Sequence, residues 1–449
     1  MPPTTSILTL FHPVFRRLGV LEVREILDVI MSFLDDDGDL LAASLVCKTW
    51  SPVALDHLWN TLDSVIPLFK LLGPMVYYIH SWSYVTDTIS EADWARFEFY
   101  SRRVRNIHKE GVESSWGDLG EGALDQVIHN RPSAITHILP RVTEIDWTET
   151  FEAGWPLQLI HLLSPTLKSF GLNILSDRTT SVTDGRDVLR HLAFLPGLKL
   201  KRLQARWIDS VPTLDVAVCD VLDRQRGSLA SFSHQSFNLN QQLGTSLSQL
   251  PNLVNLELKF TNVNTRGDED FNEFGALLAS KCPGLRTIRF CIPFGPREFT
   301  FCAFQPLTRI GGLREIRLGC RELDLKEKDF KEMGESWRSL VALAFPDSGI
   351  PLLWFAAIAV HFPPTLEDIN VNIRVSEDLD PDCTKLTAFT SLKRVSYIAV
   401  ASPKALKAVG SLLRQLVSPN TVVECAKWME QRLKEVTGNS VKWKGKWAK

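Results

Sequence analysis

Aspartates at alternate positions are a calcium-ligand pattern, and one such run stands at Asp35, Asp37 and Asp39. A helix–loop–helix calcium site needs glycine at its sixth position and a bidentate glutamate at its twelfth. Counted from Asp35, those places hold Leu40 and Val46, so the run reads instead as a solvated turn that caps the helix after it. The glycines of Gly117-Asp118-Leu119-Gly120-Glu121-Gly122 have the wrong spacing for a dinucleotide-binding turn, and no strand leads into them. They read as a loop ahead of a helix at Ala123. Zincin, nucleophile-elbow and phosphate-loop motifs do not occur in the sequence. His161, His191, His234 and His361 have no acid at a fixed spacing, which makes core or surface histidine the default for each. The cysteines (Cys47, Cys219, Cys282, Cys291, Cys302, Cys320, Cys383 and Cys425) include no Cys-x-x-Cys pair and have no His-x-x-x-His nearby. Such scatter suits buried thiols in a reducing compartment and argues against a metal site. No cofactor and no catalytic residue is expected, with a constellation assembled from distant parts of the chain as the alternative.

The elements that hold these residues follow a repeated frame: apolar, two variable residues, apolar, one variable residue, apolar. It runs from Val142-x-x-Ile145-x-Trp147 and Leu167-x-x-Phe170-x-Leu172 through Leu200 and Leu229, and then from Leu253, Leu285, Leu313, Leu340, Leu366 and Leu392. From Leu253 onward the copies are spaced by roughly 26–32 residues, the period and frame of leucine-rich repeats. Val104-x-x-Ile107 reads as an incomplete first copy. Alternation within each frame predicts a short strand, apolar residues inward and variable residues outward. Helical stretches separate the frames, at Asp184–Phe194, Val211–Asp223, Glu269–Ser280, Lys328–Trp337 and Leu352–Val360. The last is the longest apolar stretch, far below the roughly 20 residues a membrane span needs. Proline halts the preceding helix at Pro196-Gly197-Leu198, Pro251-Asn252-Leu253, Pro283-Gly284-Leu285 and Pro364-Thr365-Leu366. No coil of this kind buries its apolar face alone, so neighbours must stack. The fold class is therefore α/β, an irregular solenoid of parallel strands with helices on the convex side. A closed barrel or doubly wound sheet is the alternative and would need longer, more uniformly apolar strands.

Ahead of the repeats, Leu21 to Leu62 is organised differently. Glu25-Ile26-Leu27 opens an apolar pattern with Ile30, Phe33 and Leu34 at helical steps. The acidic turn then leads into Leu40-Leu41, Ser44-Leu45-Val46 and Cys47-Lys48-Thr49-Trp50. Pro52 suits the first turn of a third helix that carries Ala54, Leu55, Leu58 and Trp59. In order and spacing, these motifs resemble the F-box family, with Val23-Arg24 standing where that family opens with Leu-Pro. The resemblance implies a three-helix module that docks the Skp adaptor of an SCF-type cullin–RING ubiquitin ligase. It assigns the adaptor contact to Ile26, Ile30, Leu34, Val46, Cys47, Trp50, Leu58 and Trp59. Some of these must form the module's own small core, and the sequence does not sort the two groups. A module this small is marginal alone and is expected to be steadied by docking onto the rest of the chain.

The expected organisation is an N-terminal extension (1–20), the F-box (21–62), a helical linker (63–110), the solenoid (111–402), a helical cap (403–437) and a basic tail (438–449). Within the linker, Ser90 and Asp93 make a capping-box-like start to a helix carrying Trp94 and Phe97; the resemblance to fungal F-box proteins extends to about residue 110. A helix starting at Thr421 is expected in the cap, and the tail with its Trp443 and Trp447 reads as a solvated end. With 45% hydrophobic and 23% charged residues the chain can bury a real core, and a formal net charge of −2 gives no pull toward nucleic acid or an anionic membrane. The N-terminus has no basic region before its short apolar run, so no secretory signal is expected, and the cytoplasm or nucleus is the expected location.

By resemblance, then, the chain is a non-enzymatic substrate receptor of an SCF ligase, holding the adaptor at one end and an unknown substrate protein on the repeats. A scaffold whose partner is not ubiquitinated and, in another class, a repeat-built enzyme are the alternatives. The outward frame positions include Glu144, Asp146, Arg202, Gln204, Arg206, Glu257, Lys259, Arg289, Glu315, Arg317 and Asp368. Arg202, Arg206, Arg289 and Arg317 are the candidate substrate residues, because guanidinium groups grip carboxylates and phosphates bidentately. Keeping an exposed sheet soluble is the alternative role.

Overall fold

Asp36 sets the second helix: its carboxylate accepts from the backbone N–H groups of Gly38 (2.7 Å) and Asp39 (3.3 Å), so the acidic turn is a cap. The computed structural model describes residues 23–78, 81–86, 88–109, 118–149, 159–174, 179–207, 212–238, 241–262, 267–292, 299–320, 323–374, 394–398 and 422–425. The chain divides into two compact units, residues 1–172 with 195–199 and residues 173–194 with 200–449. Among the described residues no helix is long and apolar enough to cross a membrane.

In the first unit, α1 (Arg24–Met31), α2 (Asp37–Ser44) and α3 (Trp50–Leu58) enclose a core of Leu27, Met31, Leu40, Ala43, Val53 and Ala54. Leu34, Trp50 and Leu58 pack against that core and close its edge. Helix α3 passes almost directly into β1 (Thr61–Leu62), ahead of α4 (Ile66–Phe69), β2 (Met75–Tyr78), β3 (Ser81–Tyr84), α5 (Glu91–Ser101) and β4 (Asn106–Lys109). After these come β5 (Asp118–Leu119), α6 (Glu121–His129), β6 (Glu144–Glu149) and β7 (Ser169–Ile174). β1 pairs parallel with β4 and β4 with β6, bringing Leu62, Ile107 and Ile145 into one row. The strand ladder thus begins at Thr61, at the end of the F-box stretch, and its second strand lies inside the expected helical linker, before residue 111. Leu62 has Trp59 in the leading frame position but polar Ser64 in the trailing one, and the broken frame hid the first strand. The linker also holds a hairpin, β2 against β3, with β5 added parallel to β3. The capping box is present, with Asp93 N–H donating to Ser90 Oγ (3.2 Å) and Ser90 N–H to Asp93 Oδ2 (3.4 Å).

The second unit contains α7 (Thr179–Phe194), β8 (Arg202–Trp207), α8 (Pro212–Arg224), β9 (Ser231–Asn238), α9 (Gln241–Ser248), β10 (Asn255–Asn262), α10 (Gly267–Lys281) and β11 (Thr287–Ile292). It continues with β12 (Phe299–Thr300), α11 (Phe301–Phe304), β13 (Glu315–Cys320), β14 (Leu323–Asp324), α12 (Glu327–Ser336), β15 (Ala342–Pro351), α13 (Leu352–His361), β16 (Asp368–Arg374), β17 (Arg394–Ile398) and β18 (Val422–Cys425). β8, β9, β10, β11, β13, β15, β16, β17 and β18 pair in that order, each parallel to the next, while β12 and β14 form a separate pair. Strand order equal to chain order is what stacking successive coils produces. The middle frame residues Leu256, Ile288, Ile316, Leu343, Ile369 and Val395 are register partners across six strands, as the frame predicts. Outward positions such as Asn255, Lys259 and Arg317 are exposed, which rules out the doubly covered sheet of a barrel or doubly wound fold.

Coil stacking is fixed by a recurring backbone bond. The carbonyls of Val254, Arg286, Arg314 and Val341, each one residue after a frame's first leucine, accept two N–H groups from the next coil at 2.8–3.1 Å. Other buried carbonyls are met case by case. Thr166 Oγ1 donates to the Val142 carbonyl (2.7 Å), Thr365 Oγ1 to that of Leu340 (2.8 Å) and Trp337 Nε1 to that of Leu307 (3.1 Å). An irregular set of donors thus satisfies groups that could not be left bare in the core. The core around α10 is filled by phenylalanines: Phe271 lies 4.8 Å from Phe260 and 5.3 Å from Phe299, centroid to centroid.

One C-terminal expectation fails. Val422–Cys425 is a strand, not the start of a helix, and pairs with β17 through Arg394↔Val422 and Val395↔Val423. Two adjacent valines favour an extended chain, and an unpaired sheet edge offers them backbone partners. The rest of the expected cap and the tail lie outside the described residues.

Candidate functional site

Helix α1 carries two apolar stripes. Leu27, Met31 and Leu34 are spaced i, i+4, i+7 and turn inward to the core. Ile26, Val29, Ile30 and Phe33 are spaced i, i+3, i+4, i+7 on another side, and all but the half-buried Ile30 are exposed, with Phe33 at 77%. On α2 and the turn after it, Leu40 and Ala43 face inward while Leu41, Leu45 and Val46 are exposed, with Leu45 at 79% and Val46 at 61%. A module with a completed core therefore leaves a second set of apolar side chains exposed to solvent. Monomeric proteins seldom leave such a face open unless something docks there.

The structure sorts the eight residues assigned by resemblance. Ile26, Val46 and Cys47 are exposed and Ile30 is half-buried. Leu34, Trp50 and Leu58 are partly buried against the module's own core. Trp59 stacks on Tyr100 of α5 with ring centroids 4.7 Å apart. The face also includes Val29, Phe33, Leu41 and Leu45, which the resemblance did not assign. Of these, Phe33 continues the phase of Ile26, whereas Leu34 continues that of Leu27, so the two neighbours face opposite ways. The signal that would have found them is the second stripe itself, an apolar period in excess of what one core consumes.

The opposite end of the module is anchored. Asp56 on α3 accepts a hydrogen bond from Arg24 Nη2 (3.0 Å) and forms an ion pair with Arg103, whose Nε is 3.0 Å away and whose guanidinium lies 4.0 Å from the Phe99 ring centroid. The Asn60 carbonyl accepts from the N–H groups of both Arg105 and Asn106 at 2.9 Å. The three helices are thus clamped to the first strands by a salt bridge, an aromatic stack and backbone bonds, the support that a module of this size requires.

The outward frame positions of the second unit line up in rows. One row reads Arg202, Ser231, Asn255, Thr287, Glu315; the next Gln204, Ser233, Glu257, Arg289, Arg317; a third Arg206, Gln235, Lys259, Cys291. Arg289 is engaged, with Nε 2.8 Å and Nη2 3.1 Å from the two Glu315 carboxylate oxygens and Nη1 3.8 Å from Glu257. Its hydrogen bond to Glu315 favours the charged guanidinium, burial works against it, and the charges of Glu315 and Glu257 add to the first effect. Among the described residues, Arg202, Arg206 and Arg317 form no ion pair, and Arg202 and Arg317 are exposed. Three of the four candidate arginines are therefore free and one is not.

Histidines meet acids distant in the sequence, His57 at Asp28 (2.9 Å), His361 at Glu327 (3.6 Å) and, in the core, His234 at Asp215. His234 is fully buried on β9, its Nε2 3.2 Å from Asp215 Oδ1 of α8 and its Nδ1 2.7 Å from the Gln235 carbonyl, with the Trp207 ring against it at 4.8 Å. Both ring nitrogens are taken up and no surface reaches them, so the pair holds a strand to a helix.

Residues 24–64 match the F-box-like family model. No curated protein matches the chain. Solved structures similar to it include the yeast Rad7–Elc1 complex (13% identity, 64% of this chain and 76% of that one, TM-score 0.37). Others are an internalin from Listeria monocytogenes (11%, 74% and 87%, 0.32) and the leucine-rich repeat-containing protein LegL7 from Legionella pneumophila (14%, 60% and 83%, 0.33). Strand order and register, not these distant likenesses, carry the fold assignment. The chain joins an F-box-like module to a leucine-rich-repeat solenoid.

Proposed function

We propose that this chain is the substrate-recognition subunit of an SCF-type cullin–RING ubiquitin ligase. The observation that carries the proposal is the exposed apolar face of the F-box-like module, built from Ile26, Val29, Phe33, Leu41, Leu45 and Val46. That face docks a Skp-type adaptor, and the exposed outer positions of the repeat strands hold the substrate protein. The chain performs no chemistry of its own. It raises the local concentration of a substrate beside a ubiquitin-loaded enzyme held elsewhere in the assembly.

The test is reconstitution with a Skp-type adaptor, a cullin–RING pair and ubiquitin, together with identification of proteins that co-purify with the full chain. Adaptor capture with ubiquitin transfer to co-purifying proteins is the expected result. Adaptor capture without transfer supports instead a scaffold whose partner is left unmodified, and no adaptor capture overturns the proposal.

A further inference from the structure

The outward face of β8 to β13 carries charges of both signs, but only one sign is free. Its two acids, Glu257 and Glu315, are both drawn to Arg289. Around that closed cluster, Arg202, Arg206, Lys259 and Arg317 make no ion pair or side-chain hydrogen bond among the described residues. Two of the polar atoms here are also buried without a hydrogen-bond partner: Arg206 Nε on β8 and Ser233 Oγ on β9. Native folds meet most such donors with protein, water or a bound group.

The spacing of the cations decides what they suit. Arg206 and Lys259 stand in one row two strands apart, about 10 Å at the usual strand separation. Arg317 lies two strands beyond Lys259 and two residues along, a step of about 12 Å. A single phosphate cannot bridge such gaps, whereas an extended polypeptide with a carboxylate at about every third or fourth residue can.

Resting on the reading that the repeats hold a substrate protein, we infer that the bound segment is an extended acidic stretch of polypeptide. It lies across β8 to β13, with its carboxylates on Arg206, Lys259 and Arg317. Arg289, committed to Glu315, serves as a neutralising post that removes the two acids from the path.

The probe is a fluorescent glutamate-rich peptide of about 15 residues, long enough to cross these strands. It is measured on the full chain beside the same peptide with glutamine for glutamate. The glutamate peptide is expected to bind, more weakly as salt rises, and the glutamine peptide is not. Arg206→Gln with Lys259→Gln is expected to weaken binding about tenfold or more. Lys259→Glu alone, at an exposed position that does not threaten folding, should weaken it in the same direction. Equal binding of the two peptides, unchanged binding by Lys259→Glu, or full displacement by inorganic phosphate at concentrations matching the peptide would each overturn the inference. Adaptor capture is recorded on the same samples. Loss of peptide binding by the wild type with adaptor capture intact overturns only this inference, and loss of adaptor capture with peptide binding intact overturns only the ligase reading.

Discussion

Glycine in a helix interior is about 1 kcal/mol less favourable than alanine, so Gly334→Ala on α12 ought to stabilise unless something stands in the way. Something does. A Cβ built on Gly334 would lie 2.1 Å from the His361 carbonyl oxygen, 2.6 Å from its carbon and 3.2 Å from the Phe362 nitrogen. All three are backbone atoms at the end of α13, and none can rotate away. Relief requires the two helices to part by about 1 Å, and overpacking of this kind costs about 1–3 kcal/mol, occasionally more. The clash exceeds the propensity gain, and Gly334→Ala is expected to lower stability by about 1–2 kcal/mol. Gly122 is the control, at the second position of α6, where a Cβ meets nothing within 4 Å. Gly122→Ala should be neutral or stabilise by about 0.4–1 kcal/mol. Urea unfolding of the full chain, monitored by circular dichroism, measures both. A midpoint for Gly334→Ala equal to or above the wild type would refute the close approach of α12 and α13.

Two other outcomes concern the core. Ile316 is completely buried between Ile288 and Leu343, and Ile316→Asp would place an unpaired carboxylate there; hydrogen exchange should show the neighbouring coils open, while Ile316→Val costs only about 0.5–1.5 kcal/mol. Burial pushes the thiols of Cys219 and Cys282 up to about 11 from 9.0, so the folded chain keeps their protons where the unfolded chain loses them. The thiols must be neutral to stay buried, so stability is unaffected by them below about pH 9 and falls as pH rises toward 11. At pH 8 a thiol reagent should label the exposed Cys47 and Cys302 at once and leave Cys219 and Cys282 until the chain unfolds.

The repeat was legible because its frame is a local pattern. From Leu253 to Leu392 every predicted strand exists, and the middle residues fall in register, which buries Leu256, Ile288, Ile316, Leu343 and Ile369 together. The predicted helices at Asp184–Phe194 and Leu352–Val360 also lie within helices, and the one at Val211–Asp223 matches α8 to within a residue at each end. The first strand was not legible, because two residues are too few to show a period. Nor was β18, where a free sheet edge decided between strand and helix. The exposed set was half legible: the resemblance placed Ile26 and Val46, but sorting Leu34 from Phe33 required knowing which of the two stripes the core uses. Arg289 looked like the other outward arginines until Glu315, diagonally placed on the next strand, proved to be its ion-pair partner. Cross-strand pairing between coils cannot be read from one frame at a time.

The proposed role stands or falls with the exposed apolar face of the F-box-like module as an adaptor-binding surface. Its sharpest test is the affinity of a Skp-type adaptor for the immobilised full chain and for the variant Phe33→Asp with Leu45→Asp. Both side chains are more than three-quarters exposed, at 77% and 79%, so the variant should keep the wild-type circular dichroism spectrum and unfolding midpoint. The wild type is expected to bind, and the folded variant to lose about 2 kcal/mol or more of binding free energy. A folded variant that holds the adaptor as tightly as the wild type would contradict the adaptor-docking role of this face.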